Sequence, residues 1–191
     1  MLKNFYIFRN GQSSHNLAGK LQGQGNISVL TDKGVNQAIN AAQFLKDKDI
    51  DVIISSPQRR AKQTGSIIAK QLKAPIQYDS RFVEANVGSA DDILLEDLSD
   101  ESIDIMQHWH SSSADTKFEN GETKQELRHR VLSALEEYAQ GDYQNLAVSS
   151  HNFSIIEALQ GMNISKKHIN NGEIIHLQYD GKNWKHIPTA V

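Results

Sequence analysis

The segment that decides the fold is DVIISSPQRRAKQT, residues 51–64. Its first four residues, 51–54, contain the apolar run 52–54 and have the length and composition of a buried β-strand. Pro57 then fits the first turn of a helix that extends to about Leu72, and Ser56 is the predicted N-cap of that helix. A strand that passes directly into a helix is the repeating unit of an α/β sheet. The segment therefore predicts a strand–loop–helix unit with polar residues at the carboxyl end of the strand.

The same unit recurs on both sides of this segment. The other predicted elements are, in chain order, a strand at 4–8, a helix up to Lys46 after the N-cap Thr31, a strand at 76–78, a helix from Thr123, a strand at 146–148, a helix after His151 and a C-terminal hairpin at 173–179 and 184–187. Strands that alternate with helices favour parallel pairing and right-handed crossovers. The pattern predicts an α/β three-layer sandwich, with a mostly parallel central sheet, helices on both faces and a small cap insertion.

Composition restricts the function classes. The chain has 191 residues, 23 acidic and 20 basic side chains, a net charge of -3 and no cysteine. This length and apolar content suit a single domain, 1–191. Near-neutral charge argues against nucleic acid as a partner, and the lack of cysteine excludes disulfides and thiolate chemistry. Because no long apolar run occurs and the start of the chain does not resemble a signal peptide, we expect a cytoplasmic protein without membrane contact.

One stretch differs in composition from the rest. Residues 82–116 contain no Lys or Arg but seven acidic side chains between positions 91 and 104. We expect a cap at about 85–120 that overhangs the ligand site and disfavours bisphosphates and phosphorylated polycarboxylates. A solvated acidic helix pair is the alternative, and the two interpretations are compatible.

Three polar segments follow predicted strands: 9–16, 55–61 and 149–152. In open α/β sheets ligands bind at the carboxyl ends of strands, where helix N-termini favour anions. Arg9, Arg60 and His151 would meet there, and guanidinium groups match the oxygens of phosphate. The predicted ligand is inorganic phosphate or a small phosphorylated metabolite.

These residues resemble the motifs of the histidine phosphatase superfamily, also called phosphoglycerate mutase-like. The family motif S-S-P-x-x-R-A-x-x-T matches residues 55–64 in full, and the motif R-H-G-x-T-x-x-N resembles residues 9–16. Weaker resemblances follow at Gln22-Gly23, at Glu84, at Gly121 to Thr123 and at Ser150-His151. Each motif is weak alone, but their order along most of the chain is specific.

The resemblance implies a reaction without cofactor or metal, in which a histidine attacks phosphorus and a glutamate protonates the leaving group. It assigns the catalytic positions to Asn10, Glu84 and His151. Phosphate binding would fall to Arg9, Gln12, Asn16, Gln22, Gly23, Arg60, His151 and Asn152.

The sequence departs from the family at the nucleophile. Asn10 stands at the position of the nucleophilic histidine, Asn152 replaces the usual glycine and Asn26 a common aspartate. An amide nitrogen donates hydrogen bonds but has no free lone pair with which to form a phosphorylated intermediate. Asn10 fits either natural divergence or a substitution introduced to trap a ligand.

Several functions therefore remain open. The first is a phosphomonoesterase-type domain that is inactive with Asn10 and active if position 10 is natively histidine. The second is a non-catalytic phosphoester-binding sensor or scaffold, and the third, a phosphoglycerate mutase, is less favoured. His15 as a displaced nucleophile and a metal at His108 and His110 are minor alternatives. Gly19, Gly23 and Gly25 do not form a dinucleotide-binding motif, and the sequence does not determine the oligomeric state.

Overall fold

The computed structural model describes residues 2–188. The elements are β1 (Lys3–Arg9), α1 (Ser14–Leu17), α2 (Asp32–Leu45), β2 (Val52–Ser55), α3 (Arg59–Leu72), β3 (Ile76–Tyr78), α4 (Asp100–His108), α5 (Lys124–Gln140), β4 (Asn145–Ser150), α6 (Asn152–Gly161), β5 (Ile174–Tyr179) and β6 (Trp184–Ile187). Short 3₁₀ turns lie at Ser80–Phe82, Gly88–Ala90 and Leu95–Asp97.

The six strands form one sheet in the order β3-β2-β4-β1-β5-β6. The first four of these are parallel, whereas β5 is antiparallel to β1 and β6 is antiparallel to β5. The carboxyl ends of β1, β2 and β4, which are neighbours in the sheet, therefore lie at the same edge. The predicted mostly parallel sheet is confirmed.

Helices cover both faces of this sheet. Along β1, Phe5 and Ile7 pack on one face with α5 and α6, while Tyr6 and Phe8 pack on the other with α2 and α3. Successive side chains of a strand point to opposite faces, so a strand that is covered on both faces is a continuous apolar run. The predicted three-layer architecture is confirmed.

The helix starts agree with the sequence at the predicted N-cap Thr31 and at Thr123, where the start of a helix was predicted. The side chain of Thr31 accepts from Gly34 N, and Thr123 forms a reciprocal capping box with Glu126. The predicted N-cap Ser56 is wrong, because α3 begins at Arg59 with Gln58 as its N-cap. The Ser56 hydroxyl is instead buried and lies 2.9 Å from His151 Nε2.

The expected cap corresponds to the segment that contains the last two 3₁₀ turns and α4. Its apolar side chains Leu98, Ile105, Trp109 and Phe118 are buried in the same cluster as α5 and α6. The cap therefore packs onto the main core. Among residues 2–188, no helix is both long and apolar enough to cross a membrane.

Candidate phosphate-binding site

A cavity of about 290 Å³ lies at the carboxyl ends of β1, β2 and β4. Seven of the ten predicted site residues line it: Arg9, Asn10, Asn16, Gln22, Arg60, Glu84 and Asn152. Its volume is at the lower end of the range for small-molecule sites. The sheet topology thus brings together residues that are up to about 140 positions apart in the chain.

Arg9, which is half-buried, and Arg60, which is buried, provide positive charge at the cavity, and we call them the arginine side. Arg9 donates to Ile169 O (2.6 Å), and Arg60 donates to Gly23 O (2.8 Å) and Gly25 O (3.1 Å). Burial lowers the pKa of Arg60 to about 10 despite the nearby Glu84 and Asp91, and burial also lowers the pKa of Arg9. Both remain cations at neutral pH. Since a guanidinium carries five N–H donors, each arginine has donors left for an anion in the cavity.

Asn10, His151 and Glu84, which we call the transfer side, are arranged differently. Asn10 Nδ2 donates to Gly11 O (2.9 Å), so Asn10 Oδ1 faces His151 and accepts from its Nδ1–H at 3.1 Å. His151 Nε2 then accepts from the Ser56 hydroxyl at 2.9 Å. Both ring nitrogens of His151 thus have partners inside the protein.

His151 is 1% exposed and lies behind the residues that line the cavity. Burial, followed by the charges of Arg60, Arg130 and Arg9, holds the pKa of His151 well below its usual range. The imidazole is therefore neutral at neutral pH. It orients the Asn10 amide and adds no positive charge to the cavity.

The Glu84 carboxylate accepts hydrogen bonds at the start of α6. Its oxygens accept from Ser154 N (3.0 Å), Ser154 Oγ (3.2 Å), Phe153 N (3.2 Å) and Ala85 N (2.9 Å). A carboxylate at a helix N-terminus satisfies N–H groups that have no partner within the helix, and it complements the helix dipole. Glu84 therefore combines a position in the cavity wall with a structural role in α6.

The remaining predicted residues divide into two groups. Asn16, Gln22 and Asn152 line the cavity, but their side-chain oxygens accept from protein donors, including Ser13 Oγ for Gln22 and Ile169 N for Asn152. Gln12 and Gly23 lie outside the lining. Gln12 Oε1 accepts from Thr31 Oγ1, whereas Gly23 acts through its carbonyl, which holds Arg60.

Four basic side chains line the cavity that sequence reasoning did not assign to it: Lys20, His110, Lys167 and His168. Lys20 forms an ion pair with Asp92 at 2.8 Å. All four basic residues belong to irregular segments or to the end of the cap helix α4, outside every motif quoted above. Cap segments and loops that reach back to a strand end leave no periodic signal in the sequence.

The cap lines the cavity, but its acidic side chains are not part of the lining. The cap residues that line the cavity are Leu95, Met106, Gln107, Trp109 and His110, none of which is acidic. Asp91 accepts from Gly23 N and Gly25 N, and Asp92 pairs with Lys20 and His15. The five other carboxylates, from Glu96 to Asp104, are exposed. The composition of this stretch predicts its negative charge, but it does not predict whether the acidic side chains face the cavity or the solvent.

Of the histidines in the minor alternatives, His15 and His108 lie outside the cavity and His110 lines it. His15 Nε2 is 2.8 Å from an Asp92 oxygen, and His15 is outside the cavity lining. His108 contacts Asp104 on the surface of α4, whereas His110 faces the cavity. Within residues 2–188, no group of three or more His, Asp or Glu side chains is placed to hold a metal ion.

The comparisons with known proteins agree with this fold. The model of the histidine phosphatase superfamily (branch 1) matches residues 5–187. The chain therefore belongs to the histidine phosphatase superfamily.

Two curated relatives illustrate the range of the family. "Putative phosphoserine phosphatase 2" of Hydrogenobacter thermophilus is 31% identical over 188 residues, which cover 95% of this chain and 92% of that protein. "Probable phosphoglycerate mutase" of Escherichia coli is 35% identical over 131 residues, which cover 69% of this chain and 60% of the mutase. The second match thus leaves two fifths of the mutase uncovered.

Solved structures share the fold over nearly the whole chain. Mycobacterial glucosyl-3-phosphoglycerate phosphatase in complex with VO3 has a TM-score of 0.87 at 18% identity, with 97% of each chain covered. A putative alpha-ribazole-5'-P phosphatase from Escherichia coli has a TM-score of 0.80 at 21% identity, with 97% of this chain and 94% of that chain covered. At these identities the likeness shows the fold alone.

Proposed function

We propose that this chain binds inorganic phosphate or a small phosphomonoester on the arginine side of the cavity and does not transfer the phosphoryl group. The observation that carries the proposal is the state of Asn10. Its amide lines the cavity and is hydrogen-bonded at both ends, to Gly11 O and to His151. The resemblance to the family motif assigns the nucleophile to this position. A phosphorylated intermediate needs a lone pair at this position, which an amide does not provide.

The arginine side supports the binding half of the proposal. The guanidinium groups of half-buried Arg9 and buried Arg60 keep unpaired N–H donors, which suit the oxygens of a phosphate dianion. Hydrogen bonds of this kind, assisted by charge, are the strong ones. The names of the relatives, all phosphatases or mutases of phosphoesters, and the vanadate in a solved neighbour support the same ligand class. Asn16, Gln22 and Asn152 are proposed as supplementary donors, whereas Gln12, Gly23 and His151 would act from behind the cavity wall.

A phosphomonoesterase with histidine at position 10 is the second candidate. The observation that favours it is the presence of Arg9, Arg60, His151 and Glu84 at the strand ends, where the family's machinery is expected. In that protein Glu84 is the proposed proton donor to the leaving oxygen. A phosphoglycerate mutase would need the same nucleophile, so Asn10 disfavours it equally.

Calorimetric titration with inorganic phosphate and with orthovanadate tests the binding half. We expect Arg60→Ala to weaken phosphate binding by about 1.5 kcal/mol or more, roughly tenfold in Kd. Arg59→Ala is the matched control, because Arg59 is the adjacent but exposed arginine. Parent-like affinity in both variants would remove Arg60 from the site, and a parent that binds no phosphate would refute the proposal.

The two titrations also test the absence of transfer. Enzymes bind transition-state analogues far more tightly than ground-state ligands. A site without a nucleophile should bind orthovanadate about as tightly as phosphate. A hundredfold preference for vanadate would instead indicate a site built for the transition state and would contradict the absence of transfer.

A further inference from the structure

A buried cluster of charges lies outside the phosphate end of the cavity. Lys124 begins α5 and is 1% exposed, and Glu157 lies within α6 and is fully buried. The Lys124 Nζ to Glu157 Oε1 distance is 3.8 Å, and Arg128 donates to Glu157 Oε2 at 2.8 Å. None of these groups belongs to the arginine side or to the transfer side.

Lys124 holds the end of the cap helix. Helix α4 ends at His108, and Lys124 Nζ donates to the next carbonyl, Trp109 O (2.5 Å), and also to Ser112 O (3.0 Å). The last carbonyls of a helix have no partner within the helix, and a cation stabilises that end of the helix dipole. From inside the core, Lys124 thus binds the segment at which the cap turns back toward α5.

A second contact holds the same segment. Gln160 Nε2 donates to His110 O at 2.9 Å, and Arg128 donates to Gln160 Oε1 at 3.0 Å. The carbonyls of Trp109, His110 and Ser112 are therefore all bound by side chains of α5 and α6. The cluster fixes the position of this segment relative to the core.

The segment that is held in this way forms part of the cavity wall. We call Met106, Gln107, Trp109 and His110, which all line the cavity, the cap wall. The Trp109 ring also packs on Phe153, another lining residue, at a centroid distance of 4.7 Å. A displacement of the cap wall would change the shape of the cavity without touching Arg9 or Arg60.

The cluster is poorly explained as a device for stability alone. Burial raises the pKa of Glu157, although Arg128 and Lys124 partly offset it, and burial lowers the pKa of Lys124. Glu157 Oε1 and Trp109 Nε1 are buried without a hydrogen-bond partner. An apolar pair of similar size often stabilises a core at least as well as buried charges do. Unlike an apolar side chain, the Lys124 ammonium donates hydrogen bonds to the carbonyls of Trp109 and Ser112 in the cap.

We propose that Lys124 is a specificity-determining positioning residue, which sets the cap wall against which the organic part of a phosphoester lies. Selection among phosphoesters would then depend on a residue that contacts neither the ligand nor the arginine side. This inference rests on the proposed phosphoester binding.

The test compares two ligands in matched variants. Lys124→Met removes the ammonium and leaves Glu157 paired with Arg128, and Lys117→Met is a control at an exposed lysine nearby. Calorimetry measures the Kd of inorganic phosphate and of phenyl phosphate. In Lys124→Met we expect phosphate affinity within about twofold of the parent but a change of at least fivefold in the ratio of the two Kd values, and in Lys117→Met no change in either. An unchanged ratio in Lys124→Met would overturn the proposal.

Fluorescence monitors the cap wall without any ligand. Trp109 and Trp184 are the two tryptophans, so Trp184→Phe leaves Trp109 as the reporter. In that background Lys124→Met should shift the Trp109 emission to the red and increase its quenching by acrylamide. Unchanged emission would refute the claim that Lys124 holds the cap wall in place. If Lys124→Met does not fold, Gln160→Met, which removes the donor to His110 O, should change both readouts in the same direction.

If the parent binds neither ligand, the specificity claim falls with the proposed function, and the emission still reports whether Lys124 anchors the cap.

Discussion

The arginine side and the transfer side share one cavity but differ in what their polar atoms contact. Arg9 donates one hydrogen bond to a backbone carbonyl and Arg60 donates two, so both guanidinium groups keep N–H donors for a ligand. On the transfer side, Asn10 and His151 bind each other, and Glu84 binds the start of α6. The comparison shows that the two arginines, which we propose to hold an anion, keep N–H donors without a protein partner, whereas the polar groups at the proposed transfer positions already have partners within the protein.

The largest effect is expected for the substitution Asn10→His, which would place a nucleophile at position 10. In Asn10→His, the ring Nδ1–H can donate to Gly11 O as Asn10 Nδ2 does now, which turns Nε2 toward the cavity. In other enzymes, loss of the nucleophile leaves only a small part of the rate enhancement. We therefore expect turnover of p-nitrophenyl phosphate to rise by about 10³-fold or more, with acid-labile phosphate on the protein.

The control for this gain is Asn10→Gln, which keeps an amide and should remain inert. Phosphate binding by Asn10→His without label or turnover would show that more than the nucleophile has diverged. In that case the non-catalytic function would be favoured even with histidine at position 10.

The next effect separates the two possible roles of Glu84. In the Asn10→His background, Glu84→Gln should lower turnover of ethyl phosphate by about 10²-fold, because a poor leaving group needs a proton donor. Turnover of p-nitrophenyl phosphate, whose leaving group needs little protonation, should fall much less. Glu119→Gln, at an exposed glutamate of the cap, is the control. Equal losses on both substrates would limit Glu84 to holding α6.

A third effect concerns the pH dependence of stability. Because burial and neighbouring arginines hold the pKa of His151 well below 6.5, the unfolded chain binds a proton near pH 6.5 that the folded chain does not bind. The free energy of unfolding should therefore decrease as the pH falls below about 6.5, by up to about 1.4 kcal/mol per pH unit from this residue. Urea denaturation at pH 7, 6 and 5 should show a smaller decrease for His151→Gln than for the parent. The same slope in His151→Gln and in the exposed-site control His129→Gln would contradict the burial of a neutral imidazole.

The smallest effect tests the charge of the cavity mouth. Since Lys20 and Lys167 line the cavity and the acidic residues of the cap do not, a second negative charge on the ligand should be tolerated. At low salt, 4-carboxyphenyl phosphate should bind as tightly as phenyl phosphate or up to about fivefold more tightly, as measured by competition. Tenfold weaker binding would indicate that the acidic stretch faces the cavity in solution.

The sheet and the arginine side were predictable from sequence for a physical reason. Strand-end motifs are local, so Arg9 and Arg60 could be placed from the apolar runs that precede them, and parallel pairing then brings them together. The capping residues Thr31 and Thr123 are local signals of the same kind.

The transfer side and the cap depended on contacts between distant residues. Ser56 looked like an N-cap because nothing nearby indicates that its hydroxyl contacts His151, which is 95 residues away. The bonds from α6 to Glu84 span about 70 residues, and the face on which the acidic stretch lies depends on how α4 packs. Such contacts follow from tertiary packing and have no counterpart in the local pattern.

The central claim, binding without transfer, is tested most directly by ³¹P NMR of phenyl phosphate mixed with the parent chain. We predict a ligand resonance that shifts or broadens saturably on addition of protein, with the ester intact and no inorganic phosphate formed over a day. Arg60→Ala should abolish most of the shift at the same concentrations, and Arg59→Ala should preserve it. Release of inorganic phosphate by the parent, abolished by Arg60→Ala, would contradict the account, because the site would then transfer the phosphoryl group with asparagine at position 10.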